Sequence, residues 1–288
     1  MRTETLWRER PMTFGRHGTL VGILTEPTVV SKIPIVILGA GILHRVGPSR
    51  YSVVLARTLA RTGHPVLRFD LSGIGDSARS PETNLRDTAV SDINDAIGVA
   101  LGAGAEPSTQ VSLIGFCSGA DNAFYVAIRD SRVASIVLFD PTVHRTWGFR
   151  FRDAVRRLRS PRAWWNVLSG RSIQLRLAAR ASSNDAARAP DHYGLLVAGQ
   201  QEANLGSESI GRGGANLLFV LSSGAHSYCN SSRQVRESLP RGYATGRLEV
   251  AWMPEIDHVL SRSEHQERLT NLIEQWFAKT AAASSIPR

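Results

Sequence analysis

The 288-residue chain predicts a doubly wound α/β fold, a mostly parallel sheet flanked by helices, and three observations carry that expectation. Short continuous apolar runs, Ile33 to Leu38 and Val133 to Phe139 among them, have the character of strands buried on both faces. Between such runs lie segments with apolar residues at helical spacing, so that strands and helices alternate along the chain. At Val111 to Ala123, VSLIGFCSGADNA, a β-branched run stops at a glycine-flanked turn and a helix-compatible segment begins at once.

Taken in order, Met12 to Phe14 and Leu20 to Thr25 alternate apolar and polar residues around a turn at Gly15 to Gly18, the pattern of an antiparallel hairpin. The run Ile33 to Leu38 ends in the small-residue turn Gly39-Ala40-Gly41-Ile42. A helix over Tyr51 to Arg61, with Val54, Leu55 and Leu59 at helical spacing, closes on Gly63 and leads through Pro65 into a strand, Val66 to Phe69. The loop that follows, Asp70-Leu-Ser-Gly73-Ile-Gly75-Asp76-Ser77, belongs over the carboxyl ends of the strands, where open α/β sheets place their sites. It has neither a third glycine opening a helix nor Gly-Lys-Ser/Thr, which argues against a phosphate cradle.

A helix over Asp87 to Leu101, with Val90, Ile93, Ile97 and Leu101 on one face, precedes the strand at Val111. The turn then gives way to a helix over Ala120 to Ile128, and the strand Val133 to Phe139 ends at Asp140-Pro141. From 143 to 207 the pattern changes: eleven arginines between Arg145 and Arg188 face three aspartates, with Trp147, Trp164 and Trp165 interleaved. The spacing of Phe151, Val155 and Leu158 predicts a helical cap inserted between two parts of one core, 1–142 and 208–288. Its arginines suit either a solvated basic face or a substrate-binding surface. The core resumes with strands Leu217 to Leu221 and Leu248 to Met253, and ends in an amphipathic helix, His265 to Phe277, with a frayed tail from Ala281.

Composition excludes several classes of function. With 42% hydrophobic and 20% charged residues the chain is of ordinary globular make-up, and no apolar run approaches the roughly 20 residues of a membrane span. MRTETLWRERPM lacks the apolar centre of a signal peptide, which points to the cytoplasm. Two distant cysteines do not make a disulfide framework. The formal charge of +9 is carried by arginine, since only Lys32 and Lys279 are lysines; no nucleic-acid-binding motif accompanies it. No metal-ligand spacing is visible, His144, His192 and His226 reading as solvated or structural, and no cofactor is implied.

The glycine-flanked turn is the centre of the chemistry. A side chain at the apex of a sharp strand-to-helix turn projects above the sheet, and the residues two before and two after it must be small. Gly115 and Gly119 flank Cys117 in this way, whereas Ser118 at the apex would need small residues where Phe116 stands. The frame therefore selects a thiol, the alternative being a tight turn with a buried cysteine.

With the LGAGI turn, the DLSGIGDS loop, the GFCSG elbow, the insertion and a late Asp257-His258 in this order, the chain resembles an α/β-hydrolase over nearly its whole length. The runs GILHRVGPSR and PVLRFDLSGIGDS are similar to hydrolases associated with exosortase systems and to hydrolase-like proteins of polyketide pathways. The resemblance implies Cys117 as nucleophile and His258 as base, with an oxyanion hole from the backbone N–H groups of Ser118 and Ile42. Each such donor is worth roughly 3 kcal/mol. Gly41, His44, Phe116 and Trp147 are the implied substrate neighbours.

The departure is the acid. The family's usual carboxylate position, after the strand ending at Leu221, holds Gly224, Ala225 and His226. Asp140 is a substitute or a cap for its own turn beside Pro141; Asp257 adjoins His258 and is set aside. If no acid were present, a thiolate–imidazolium pair would tolerate its loss better than a serine would.

The reading that follows is a Cys–His enzyme acting on an ester, lactone or thioester of an acyl or polyketide-like small molecule. The acyl group would be delivered free, on coenzyme A or on an acyl carrier protein. The alternatives are a lyase of the same fold that eliminates acetate from a tetronate-type intermediate, and a binding protein that has lost catalysis.

Overall fold

In the computed structural model, residues 6–16, 18–82, 84–102, 109–158, 215–238 and 247–284 are described. Among the described residues eight strands form one sheet: β1 (Trp7–Phe14), β2 (Leu20–Pro27), β3 (Ile35–Leu38), β4 (Val66–Phe69), β5 (Val111–Phe116), β6 (Val133–Phe139), β7 (Asn216–Ser222) and β8 (Leu248–Met253). Their order across the sheet is β1-β2-β4-β3-β5-β6-β7-β8. β2 pairs antiparallel with β1 and β4, and the remaining neighbours are parallel. The hairpin is longer than its alternating residues indicated, because Arg8, Glu9 and Arg10 pair in register with Glu26, Thr25 and Leu24.

The continuous apolar runs are buried on both faces because side chains alternate across the sheet. Val36, Leu113, Ile136, Leu138 and Leu217 face one cluster, which is closed by α2 (Leu85–Leu101) and α3 (Ser118–Ala127) through Ile93, Ile97, Ala120 and Ala123. Ile35, Ile37, Ile114, Phe116, Val137 and Val220 face the other. That side is closed by α1 (Tyr51–Arg61) and by a long C-terminal helix, Ser263–Ser284, through Leu55, Leu59, Leu269 and Ile273. The last helix runs beyond Phe277 into the tail expected to fray, where Ala281 to Ala283 favour continued helix.

Of the expected cap, only 143–158 falls among the described residues, and Trp164, Trp165 and the arginines from Arg159 to Arg188 lie outside them. The described part forms α4 (Trp147–Leu158). Its buried aromatic is Phe149, at 5% exposure, whereas Phe151 is 71% exposed, so the packed stripe is offset from the expected one. A further short helix, α5 (Ser232–Ser238), gave no apolar periodicity in the sequence and buries Gln234 and Val235; the C-terminal helix is accordingly α6. Among the described residues no helix is long and apolar enough to cross a membrane.

Candidate active site

At the end of β5 the chain reverses into α3 within one residue, and that residue is Cys117, at φ 53 and ψ −119. Positive φ is uncommon for a residue with a side chain and marks a position that its surroundings over-determine. The surroundings are visible in the two glycines. A Cβ on Gly115 would lie 2.3 Å from the Gly119 carbonyl oxygen, and one on Gly119 would lie 2.3 Å from that of Gly39. Strand β3, strand β5 and helix α3 therefore approach more closely than side chains permit, and Cys117 is raised above the sheet. Its N–H donates to the Phe139 carbonyl at 2.8 Å, which ties the apex to the end of β6.

One residue beyond Phe139, Asp140 also takes positive φ, 49°, a conformation that aspartate tolerates better than most residues. Its carboxylate is buried and its Oδ2 lies 2.7 Å from Nδ1 of His258, which follows β8. His258 is also within interaction range of Cys117, which favours its protonated form. Because Nδ1 is engaged by Asp140, the nitrogen left for the thiol is Nε2. The contact with Asp140 first and that with Cys117 second hold the imidazolium, pushing the His258 pKa up to about 10 against partial burial. The carboxyl ends of β5, β6 and β8 thus bring Cys117, Asp140 and His258 together, with Asp140 bonded to His258.

Asp140 is itself braced from β7. Ser222 donates its N–H to Oδ1 at 2.7 Å and its hydroxyl to Oδ2, while the Tyr228 hydroxyl donates to the Asp140 carbonyl at 3.1 Å. The turn after β7, where the family's usual acid would stand, cannot carry one at position 224. A Cβ on Gly224 would come within 2.7 Å of the His258 Cβ. β7, whose following turn has glycine at 224, thus supplies donors to the carboxylate at the end of β6.

Beside the elbow, the turn after β3 is closed by the Leu43 N–H bonding to the Ala40 carbonyl at 2.9 Å. The Gly41 N–H donates to Ser118 Oγ at 2.5 Å, so this turn and the start of α3 are in direct contact. Ile42, the expected second donor, follows Gly41 and has a side chain 62% exposed. His44 is exposed on the same loop, and Trp147 is 83% exposed at the start of α4. Phe116 is a correction. It is 1% exposed and packs edge-on against Tyr51 with ring centroids 5.5 Å apart, on the sheet face away from α3, so it does not line a substrate path.

Sequence reasoning missed what supports the turn. Asp70, fully buried, accepts the Arg45 N–H at 2.5 Å, the Arg45 guanidinium and the Asp76 N–H at 3.1 Å. Arg45 also pairs with Asp76 at 2.6 Å. The DLSGIGDS loop is therefore a brace for the chain following β3, not a phosphate cradle. On the other side, Asp121 in the first turn of α3 accepts the N–H and hydroxyl of Thr142 at 2.7 and 2.8 Å, and its burial pushes its pKa up to about 6. Burial, and then the Asp140 carboxylate, hold the Tyr228 hydroxyl protonated.

Comparison with known proteins agrees with this fold. The family profile described as alpha/beta hydrolase fold matches residues 33–178. Among solved structures, a proline iminopeptidase from Mycobacterium smegmatis is similar at 14% identity and a TM-score of 0.59, over 96% of this chain and all of the other. A meta-cleavage product hydrolase from Pseudomonas fluorescens is similar at 15% identity and 0.57, over 94% and 98% of the two chains. For a dienelactone hydrolase from Anabaena variabilis the values are 13% and 0.56, over 95% and 98%. At these identities the likeness is one of fold. No curated protein matches the chain closely enough to be counted a relative.

Proposed function

The chain belongs to the α/β-hydrolase fold family, and from that premise we propose that it is a cysteine-dependent enzyme acting on an ester, lactone or thioester of an acyl or polyketide-like small molecule. The observation that carries the reading is the grouping of Cys117 at a strained elbow with His258, whose Nδ1 is held by Asp140 at 2.7 Å. In the proposed reaction the Cys117 sulfur attacks the acyl carbon and the carbonyl electrons move onto oxygen. The oxyanion is met by the N–H of Ser118, at the open end of α3, and by that of Ile42 in the neighbouring turn. His258 Nε2 gives its proton to the departing alkoxide or thiolate as the carbonyl reforms. Water or another acceptor then attacks the acyl-cysteine, passing its proton to His258 and releasing the acid or the transferred product.

Substrate class is read from the surroundings. Ile42, Leu43, Trp147 and Val259 are exposed apolar side chains on the segments that leave the strand ends, which suits a hydrocarbon-bearing acyl group. Trp147 lies 5.6 Å from the Arg150 guanidinium, a pairing that favours an acyl group carrying a carboxylate, or a phosphate such as that of coenzyme A or a carrier-protein arm. The neighbours named as dienelactone and meta-cleavage product hydrolases fit carbonyl chemistry of this kind.

The test is intact-mass spectrometry of protein quenched during turnover of a p-nitrophenyl ester and of an acyl-coenzyme A. A transient acyl adduct that maps to Cys117 and is missing in Cys117→Ala is expected. An unsaturated product with no adduct would replace acyl transfer by elimination.

A further inference from the structure

We propose that the side-chain hydroxyl of Ser118 is a third donor of the oxyanion hole, a role that rests on Cys117 being the nucleophile. Ser118 opens α3 immediately after the apex, and its Oγ already accepts the Gly41 N–H at 2.5 Å. A serine oxygen stays within roughly 4 Å of its own amide nitrogen in every staggered rotamer. The hydroxyl therefore sits between the Ser118 amide and the turn after β3, beside the place where negative charge develops when the sulfur adds to a carbonyl.

A hydroxyl that accepts one hydrogen bond still has its own proton to donate, and the accepted bond polarises that proton further. The relay is then Gly41 N–H to Ser118 O–H to the oxyanion. The opposite role, a hydroxyl that occupies the hole and must leave, is less economical. The Gly41 amide lies in a turn closed by the Leu43 to Ala40 bond, with Gly41 at φ +52, and displacing Ser118 would trade one acceptor for another. Retaining Ser118 adds a donor with no reorganisation, the condition under which such stabilisation is most effective.

The experiment compares wild type, Ser118→Ala, Ser118→Thr and Cys117→Ala as full chains. The probes are p-nitrophenyl acetate for turnover and iodoacetamide for alkylation of Cys117, a reaction that passes through no oxyanion. Ser118→Ala is expected to lower kcat by roughly 10- to 100-fold with KM little changed, given what single oxyanion donors contribute. Ser118→Thr, which keeps the hydroxyl, is expected to recover most of it, and alkylation of Cys117 is expected to match wild type in both. Turnover in Ser118→Ala equal to or above wild type overturns the proposal, as does a parallel fall in alkylation, which would mark a damaged elbow. Turnover that survives in Cys117→Ala overturns the nucleophile reading and this proposal with it. Turnover lost there but kept in Ser118→Ala overturns this one alone.

Discussion

Asp140→Asn separates the two roles open to this carboxylate, orienting His258 or capping its own turn. Asparagine accepts the positive φ of 49° and can still take the Ser222 N–H on its oxygen, so the backbone has no reason to move. What changes is the atom 2.7 Å from His258 Nδ1, which becomes an amide N–H₂ in place of a carboxylate oxygen. The largest support for the imidazolium, which holds the His258 pKa up to about 10, is thereby removed. The proton moves to the tautomer on Nε2, the nitrogen that should receive the thiol proton. In the worked serine-protease case that change costs about 10⁴ in turnover. A thiol has a floor that a hydroxyl lacks. An unassisted cysteine ionising near pH 8.5 is still about 3% thiolate at pH 7, so the supply of nucleophile falls by at most about thirtyfold. The assay is the rate of iodoacetamide alkylation at Cys117 by mass spectrometry between pH 5.5 and 9.5, with fully buried Cys229 as the internal reference. The expected result is an Asp140→Asn rate below wild type at pH 7, by at most about thirtyfold, with the gap closing as pH rises towards 8.5. Ester turnover should fall further, because the leaving group also loses its proton donor. Superimposable profiles for the two proteins would refute the reasoning and leave Asp140 as a turn cap.

The elbow predicts that Gly119→Ala, whose methyl would meet the Leu38 and Gly39 carbonyl oxygens at 2.5 and 2.3 Å, costs about 3 kcal/mol in urea unfolding and slows Cys117 alkylation. Asp70→Asn leaves the Arg45 guanidinium, 15% exposed, with only the largely exposed Asp76 as counter-charge. A loss of about 2–3 kcal/mol is expected, somewhat below that for a fully buried pair, and is read from the same unfolding curves. His258 makes a prediction for pH. Its folded pKa of about 10 lies above the unfolded value of 6.5, so its stabilisation is complete below pH 6.5 and is lost as pH rises through 10. The thermal midpoint of wild type should decline across that window more than that of Asp140→Asn.

How much of this was legible in the sequence depends on how far apart the partners are along the chain. The strands β3, β5, β6 and β7 could be read directly, because burial on both faces writes a mostly apolar run, broken only by the buried Ser112 in β5 and Ser135 in β6. The elbow could be read because its steric demand falls on residues two positions either side of the apex. Phe116 is a neighbour of Cys117 in sequence but not of the substrate path in space. It keeps the parity of Ile114 and faces Tyr51, while the chain turns only at the next residue. The contacts that hold the site cross the chain. Ser222 lies 82 residues from Asp140 and Gly41 lies 77 from Ser118, and no local pattern encodes either pairing.

The displaced acid shows why such pairings escape a sequence pattern yet obey simple physics. A carboxylate on the turn after β7 would need a side chain where Gly224 lets the His258 ring lie against bare backbone. Once that approach is made, the imidazole can be met only from another strand end, and β6 is the neighbour of β7 in the sheet. Asp140 meets it at positive φ, and β7 contributes the Ser222 N–H and hydroxyl, so that the carboxylate is buried without being unsatisfied. The glycine, the serine and the aspartate are thus one arrangement distributed over two strands. Reversing only part of it, by Gly224→Asp in the wild-type chain, should displace His258 and abolish turnover without restoring the usual acid. Adding Asp140→Asn should not rescue it, because the steric cause remains. Recovery of activity in the double variant would mean that the His258 ring can move to accept a carboxylate from β7, and that the close packing over Gly224 is not what sets the position of the acid.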